Sequence, residues 1–246
     1  MATRIGTAGW TLTPAAKAEL GDEGTHLERY ARRFNAVEIN SSFYRPHRPA
    51  TYQRWAASVP EDFRFSVKVP KAISHVARLD DVDALLKKFL DEVSGLGEKL
   101  GVLLIQLPPS FALDENVVLA FGKRLRELTS VSAVFEPRHA SWFTPSSEQL
   151  LGKFNLGRVA ADPAIIPAAS APGGASAIVY YRWHGSPDVY YSNYSDEQLT
   201  ALHQRLLATS TNAMESWCIF DNTAAGAAIE NAWTIAQLES AQPRVS

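Results

Sequence analysis

Eight short runs rich in β-branched and aromatic residues recur along the chain, at 4–10, 36–43, 63–70, 101–108, 132–139, 158–163, 178–185 and 216–222. Stretches with helical periodicity separate them, at 27–34, 51–58, 82–92, 115–128, 146–154, 196–207 and 225–238. Strands alternating with helices read as βα units of a mostly parallel sheet. Eight such units in 246 residues predict an α/β chain of the TIM (β/α)8 barrel class rather than an open doubly wound sheet, with one domain spanning 1–246. One stretch breaks the alternation. PAIIPAASAPGGASA (163–177) carries three prolines and a Gly-Gly pair, and predicts a loop or a degenerate unit between strands 6 and 7. Pro145 and Glu148 behind Thr144 mark a helix start, as does Ser195 before Asp196.

Composition narrows the class. Hydrophobic residues at 46% and charged residues at 20% suit a globular chain with a large core and exclude a disordered one. A net charge of −2 argues against a nucleic-acid protein with a wholly basic surface. No apolar run approaches the ~20 residues that span a bilayer, so no membrane role is expected. MATRIGTAGW enters a strand with no signal-peptide pattern before it, which makes the cytoplasm the expected location. The lone Cys218 excludes an intramolecular disulfide and a cysteine metal cluster.

Successive side chains on a strand point to opposite faces, so parity sorts the polar residues. Glu38 and Asn40 share one face of strand 2, opposite Val37 and Ile39. Ser66 and Lys68 oppose Phe65, Val67 and Val69; Gln106 opposes Ile105 and Leu107; Glu136 and Arg138 oppose Phe135. Tyr180, Arg182 and His184 oppose Tyr181 and Trp183. Barrel strands are ordinarily apolar on both faces. Here one face turns charged toward the C-terminal strand ends, and Glu38, Asn40, Lys68, Gln106, Glu136, Arg138, Asp162, Arg182 and His184 are expected to converge there. Burying so many charges costs several kcal/mol per ion unless they pair. A structural salt bridge between Glu136 and Arg138, a snorkelling Lys68 and a turn-holding Asp162 are the plain alternatives.

The loops after these strands are basic for a net-acidic chain. Arg45, His47 and Arg48 follow strand 2, and Lys71, His75 and Arg78 follow strand 3. Such a mouth points to an anionic ligand. DNTAAGAA (221–228) passes from strand to helix through Asn222 and Gly226, a second candidate place for a phosphate or carboxylate. Tyr44, Trp142, Tyr190 and Tyr191 are among the aromatic residues that flank the proposed mouth, where they could stack a ring or cover the rim. No P-loop, H-E-x-x-H, C-x-x-C or G-x-S-x-G motif is present, and the sequence names no cofactor.

Nearly the whole length resembles the YecE-like family, called domain of unknown function 72. The resemblance is carried in order by IGTAGW, VEINSSFYR, DFRFSVKVPKAISH, LGEKLGVLLIQLPPSF, FEPRHASWF, YYRWHG and FDNTAAGAAIENA. It implies a TIM-barrel fold and no particular reaction. It also implies that Glu38, Asn40, Tyr44, Lys68, His75, Gln106, Glu136, Arg138, His139, Trp142, Arg182, His184, Gly185, Asn222 and Gly226 stand at family-typical positions. This chain departs from it with Pro137, where the family usually shows an apolar residue, and with Asp221, where it often shows Asn.

Three functional readings remain open. The first is a metal-independent enzyme on a small anionic substrate, phosphorylated or sugar-like. Glu38, Glu136, Lys68 and His184 would be its catalytic groups. Asn40, Tyr44, His75, Gln106, Arg138, Trp142, Arg182 and Asn222 would bind the substrate. The second is a divalent-metal isomerase or hydrolase using Glu136, Asp162, His184 and Asp221, which resembles the ligand order of xylose-isomerase-like barrels. Arg138 and Arg182 beside a cation weigh against it. The third is a non-catalytic nucleic-acid or partner-binding module, which buried carboxylates disfavour because they repel phosphates.

Overall fold

The computed structural model describes residues 3–175, 177–210, 213 and 215–241. Its strands are β1 (Arg4–Thr7), β2 (Ala36–Ile39), β3 (Arg64–Lys68), β4 (Leu100–Gln106), β5 (Ser132–Glu136), β6 (Leu156–Arg158), β7 (Ala160–Asp162), β8 (Gly173–Gly174), β9 (Ile178–Trp183) and β10 (Glu215–Phe220). Its helices are α1 (Pro14–Leu20), α2 (His26–Ala31), α3 (Pro49–Ala57), α4 (Asp83–Val93), α5 (Glu115–Leu128), α6 (Pro145–Lys153), α7 (Asp196–Ser210) and α8 (Ala227–Ser240). No helix among the described residues is long and apolar enough to cross a membrane.

Local sequence sets these elements. Asp114 caps α5 by accepting from the Asn116 and Val117 amides, and Val118, Phe121, Gly122 and Leu125 bury one stripe of it at helical spacing. Thr144 caps α6 with Pro145 in the first turn, as the sequence leads one to expect. Helix α1 was not expected, because it buries only Ala16 and so carries no apolar stripe. Its Thr13 cap and following Pro14 were the available signal.

This is a mixed α/β fold built on parallel sheets. One sheet has the order β1-β10-β9-β7 and the other β2-β3-β4-β5-β6-β8. Every pairing is parallel except the antiparallel β6–β8 contact. The sheets meet at two places. Ala8 bridges to Glu38 in parallel, joining the end of β1 to β2. Only Val159 separates β6, which pairs with β5, from β7, which pairs with β9. Gly6 permits the close approach of β1 and β2, since a methyl group there would overlap the Ala36 carbonyl.

Several strands are shorter than expected. The run 36–43 leaves the sheet after Ile39, and Ser41–Phe43 form a 3-10 turn. The run 132–139 stops at Glu136 before Pro137. The interrupted stretch at 163–177 holds a 3-10 turn (Pro167–Ser170) and β8; Ser176 lies outside the described residues.

The core has two parts. The larger joins one face of the strands to the helices, with Phe65, Val67, Ile105 and Phe135 against Leu86, Phe121, Leu150 and Ile229. The smaller takes nothing from the helices and includes Ala36, Val102, Leu104, Val134, Ile178, Tyr180, Trp217 and Ile219. These eight residues share strand parity with Glu38, Gln106, Glu136, Arg182 and Asp221. The charged groups therefore stand on an apolar floor, one layer nearer the C-terminal strand ends.

Candidate functional site

Arg182, on β9, is the hub. It is fully buried, and its Nε and Nη2 donate to the two oxygens of the equally buried Glu38 at 2.9 and 2.7 Å. Nη2 also lies 2.9 Å from Asp221 Oδ2, and Nη1 donates to Glu136 Oε2 at 3.2 Å. One guanidinium thus ties together residues from β2, β5 and the end of β10. A planar five-donor fork suits this bidentate work, and an ammonium would not. The Tyr180 hydroxyl is 3.0 Å from Glu38 Oε2 and 2.9 Å from Ser66 Oγ.

Glu136 is the second node. Arg138 donates to its Oε1 from Nη2 at 2.7 Å and from Nε at 3.1 Å, and Gln106 Nε2 donates to Oε2 at 3.0 Å. Burial alone would raise the Glu136 pKa, but Arg138, Arg182 and His184 hold it well below the usual carboxylate range. Asp221 is lowered in the same way, by Arg182 and His184 against its burial. Both carboxylates are firmly anionic.

His184 stands between them. Its Nε2 lies 2.8 Å from Glu136 Oε1 and 3.0 Å from Arg138 Nη2. Its Nδ1 lies 3.0 Å from Asp221 Oδ2 and 3.3 Å from Arg182 Nη1. Nε2 also lies 3.3 Å from Arg182 Nη1, so each ring nitrogen faces one carboxylate and at least one guanidinium. A protonated nitrogen can donate to the carboxylate, and a bare one can accept from the guanidinium.

Lys68, at the end of β3, differs from the other cations. It is 6% exposed, yet its ammonium has no ion pair or hydrogen bond among the described residues. Its Nζ sits 4.4 Å from the centre of the Phe43 ring. Burial, helped by the Arg182 charge and opposed by Glu38, Glu136 and Asp221, pulls its pKa down to about 8.

The remaining expected residues divide. His75 packs edge-on against Phe43 at 4.9 Å, and burial together with Lys68 and Lys71 lowers its pKa. Asn40 follows β2 with its buried Oδ1 unpartnered. Tyr44 is 79% exposed and meets Phe43 edge-on at 5.0 Å. Trp142 is fully buried, stacked on Phe135 with its indole N–H donating to the Phe111 carbonyl at 2.8 Å, so it packs in the helix-facing core. Asn222 is buried and donates to Ser192 O at 2.9 Å and Asn231 Oδ1 at 2.8 Å, fastening the loop after β9 to α8. Gly226 caps α8 at φ 83°, and two amides at that helix start already donate to Thr223 and Asn222 carbonyls.

Asp162 does not join the cluster. Its neighbour Ala161 packs on the floor, so Asp162 points the other way and accepts from the Tyr194 hydroxyl at 2.8 Å. That removes one ligand from the expected metal set of Glu136, Asp162, His184 and Asp221. The lone pairs of the other three are directed at Arg138, Arg182 and one another, a donor set that does not fit a cation.

The family model described as "Protein of unknown function DUF72" matches residues 4–245. The chain belongs to the DUF72 family. This DUF72 chain is 36% identical over 129 residues to the protein YecE of Escherichia coli K12, a match covering 51% of the chain and 46% of YecE. It spans about half the length of the curated relatives it matches. A solved DUF72 family protein from Enterococcus faecalis V583 superposes with a TM-score of 0.82 at 22% identity, over 98% of this chain and 97% of that one. A sugar phosphate isomerase/epimerase from Parabacteroides distasonis superposes with a TM-score of 0.56 at 13% identity, over 100% and 99%. At such identities the likeness is one of fold.

Tyr180, Ser66 and Asp221 are parts of the DUF72 cluster that were not singled out as binding or catalytic groups from the sequence in the metal-independent reading. Parity places Tyr180 with Arg182 and Ser66 with Lys68, so the signal was there. Neither of these two hydroxyls is ionised near neutral pH, so neither stands out by charge.

Proposed function

We propose that this chain is a metal-independent enzyme for a small anionic substrate, working at the C-terminal strand ends of a closed (β/α)8 barrel. The Ala8–Glu38 bridge and the shared run through Val159 support closure, because they link the two sheets at two places. Lys68 carries the functional reading. A buried ammonium with no direct ion pair or hydrogen bond among the described residues is costly, and an anion bound beside it would offset that cost.

Roles follow from how each group is held. Glu38 has both oxygens committed to Arg182, so it positions the guanidinium. Glu136 is too strongly held as an anion to be an effective base, and it orients Arg138 and His184. His184 moves the proton, since both of its nitrogens have a partner in either protonation state. Lys68, and Arg138 through its uncommitted Nη1, hold the anionic group.

Calorimetric titration with inorganic phosphate and sulfate tests this reading. Binding to the native chain, weakened at least about tenfold by Lys68→Met and unchanged by replacing the exposed Lys123, supports it. No binding of either anion up to about 10 mM overturns it.

A further inference from the structure

The surroundings of Lys68 differ from those of a purely anion-holding lysine. Its Nζ rests over the Phe43 ring, and the same ring meets His75 edge-on. His75 Nδ1 lies 2.9 Å from Ser74 Oγ, and its Nε2 has no hydrogen-bond partner among the described residues. The unpartnered Asn40 Oδ1 belongs to the residue after the Ile39–Val67 register pair, as Lys68 does on the neighbouring strand. An amine, an imidazole nitrogen and an amide oxygen, none with a hydrogen-bond partner among the described residues, thus belong to residues that follow β2 and β3 or end them.

We propose that Lys68 is a Schiff-base lysine, whose amine condenses with the carbonyl of an anionic aldehyde or ketone held by Arg138. The proposal rests on the anion-site reading above and names its substrate class. The ammonium first gives up one proton; the neutral amine then attacks the carbonyl carbon, a C–N bond forms as the C=O π bond breaks, and the proton that the nitrogen sheds passes to the oxygen to give a carbinolamine. The hydroxyl then leaves as water while nitrogen's lone pair closes the C=N bond. Counted from the ammonium, one carbonyl compound is consumed and one iminium and one water are formed, with no oxidant or reductant. In this scheme His75, which meets the same Phe43 ring as Lys68, takes the proton the ammonium gives up and returns it to the departing hydroxyl.

The amine is also chemically available. Facing Lys68 are Arg182 from β9, Glu38 from β2, Glu136 from β5, Asp221 after β10, and His75 from its own following turn. Desolvation and Arg182 win over the carboxylates, and a pKa of about 8 leaves roughly a tenth of the amine neutral at pH 7. A lysine kept only to attract anions gains nothing from such a loss of charge.

The test uses the whole chain, glycolaldehyde phosphate as the anionic carbonyl probe, and cyanoborohydride to reduce any iminium to a stable secondary amine. Peptide mapping should find Lys68 labelled at least tenfold above Lys123. Unphosphorylated glycolaldehyde should lose that preference, and Lys68→Arg should lose the adduct. Replacing His75 by Asn should slow labelling about tenfold. Label spread evenly over exposed lysines, or an unlabelled Lys68 in a chain that still binds phosphate, overturns the Schiff base and leaves the anion site standing. An unlabelled Lys68 in a chain that binds no phosphate overturns both.

Discussion

Arg182 clasps both carboxylate oxygens of Glu38, at 2.7 and 2.9 Å, and neither side chain reaches solvent. Three carboxylates (Glu38, Glu136, Asp221) and three cations (Lys68, Arg138, Arg182) make up this layer, so the formal charges cancel before His184 is counted. Cancellation is uneven. Among the described residues, Arg182 takes part in three ion pairs with carboxylates and Lys68 in none.

Removing the hub should be severe. Arg182→Met leaves three buried carboxylates facing one another, and a loss of about 3–5 kcal/mol in a urea titration is expected. Arg182→Lys should recover only a minor part, because an ammonium cannot span both oxygens of Glu38 and reach Glu136 and Asp221 as well. Full recovery with lysine would mean that charge alone, rather than the fork, holds the layer.

Lys68→Met should stabilise the chain near pH 7, by about 3 kcal/mol. The folded pKa of about 8 lies below the ordinary 10.5, so between those values the unfolded chain binds the proton that the folded one releases. Native stability attributable to this group therefore rises as pH rises from 8 to 10.5 and is lowest below 8. The variant should lack that rise. Denaturant midpoints at pH 7 and pH 10 provide the check, and a variant less stable than the native chain at pH 7 would count against a desolvated ammonium.

Acid should act through Glu136 and Asp221. Their folded pKa values lie below the ordinary 4.5 and 3.8, so their contribution is complete above those values and is lost as pH falls through the lower folded ones. Glu136→Gln should reduce stability at pH 7 and flatten the acid limb below pH 4.5. An unchanged limb would show that other carboxylates govern acid unfolding.

Trp142 should matter for packing and not for ligand. Trp142→Ala is expected to cost about 3–5 kcal/mol, and Trp142→Phe less. Neither phosphate affinity nor labelling at Lys68 should change in the phenylalanine variant, which titration calorimetry and peptide mapping can read.

Much of this site was legible in the chain. A period of two along a strand is set by backbone geometry, so Glu38, Lys68, Gln106, Glu136, Arg182 and His184 could be placed on one face without coordinates. Strand parity stops applying where a strand ends. Asp162 follows a point where the chain passes from one sheet to the other across Val159, and it turns toward Tyr194. Trp142 lies in a 3-10 turn, where no period applies, and an indole can face a mouth or a core equally well by sequence. The lack of a partner at Lys68 was also hidden, because it depends on how Arg182 distributes its donors among three carboxylates.

The most direct measurement is a pH titration of the Lys68 side-chain nitrogen by NMR in the native chain. A midpoint near 8 is expected, moving upward when phosphate binds. A midpoint at the ordinary 10.5, unmoved by phosphate, would contradict a desolvated cation awaiting an anion.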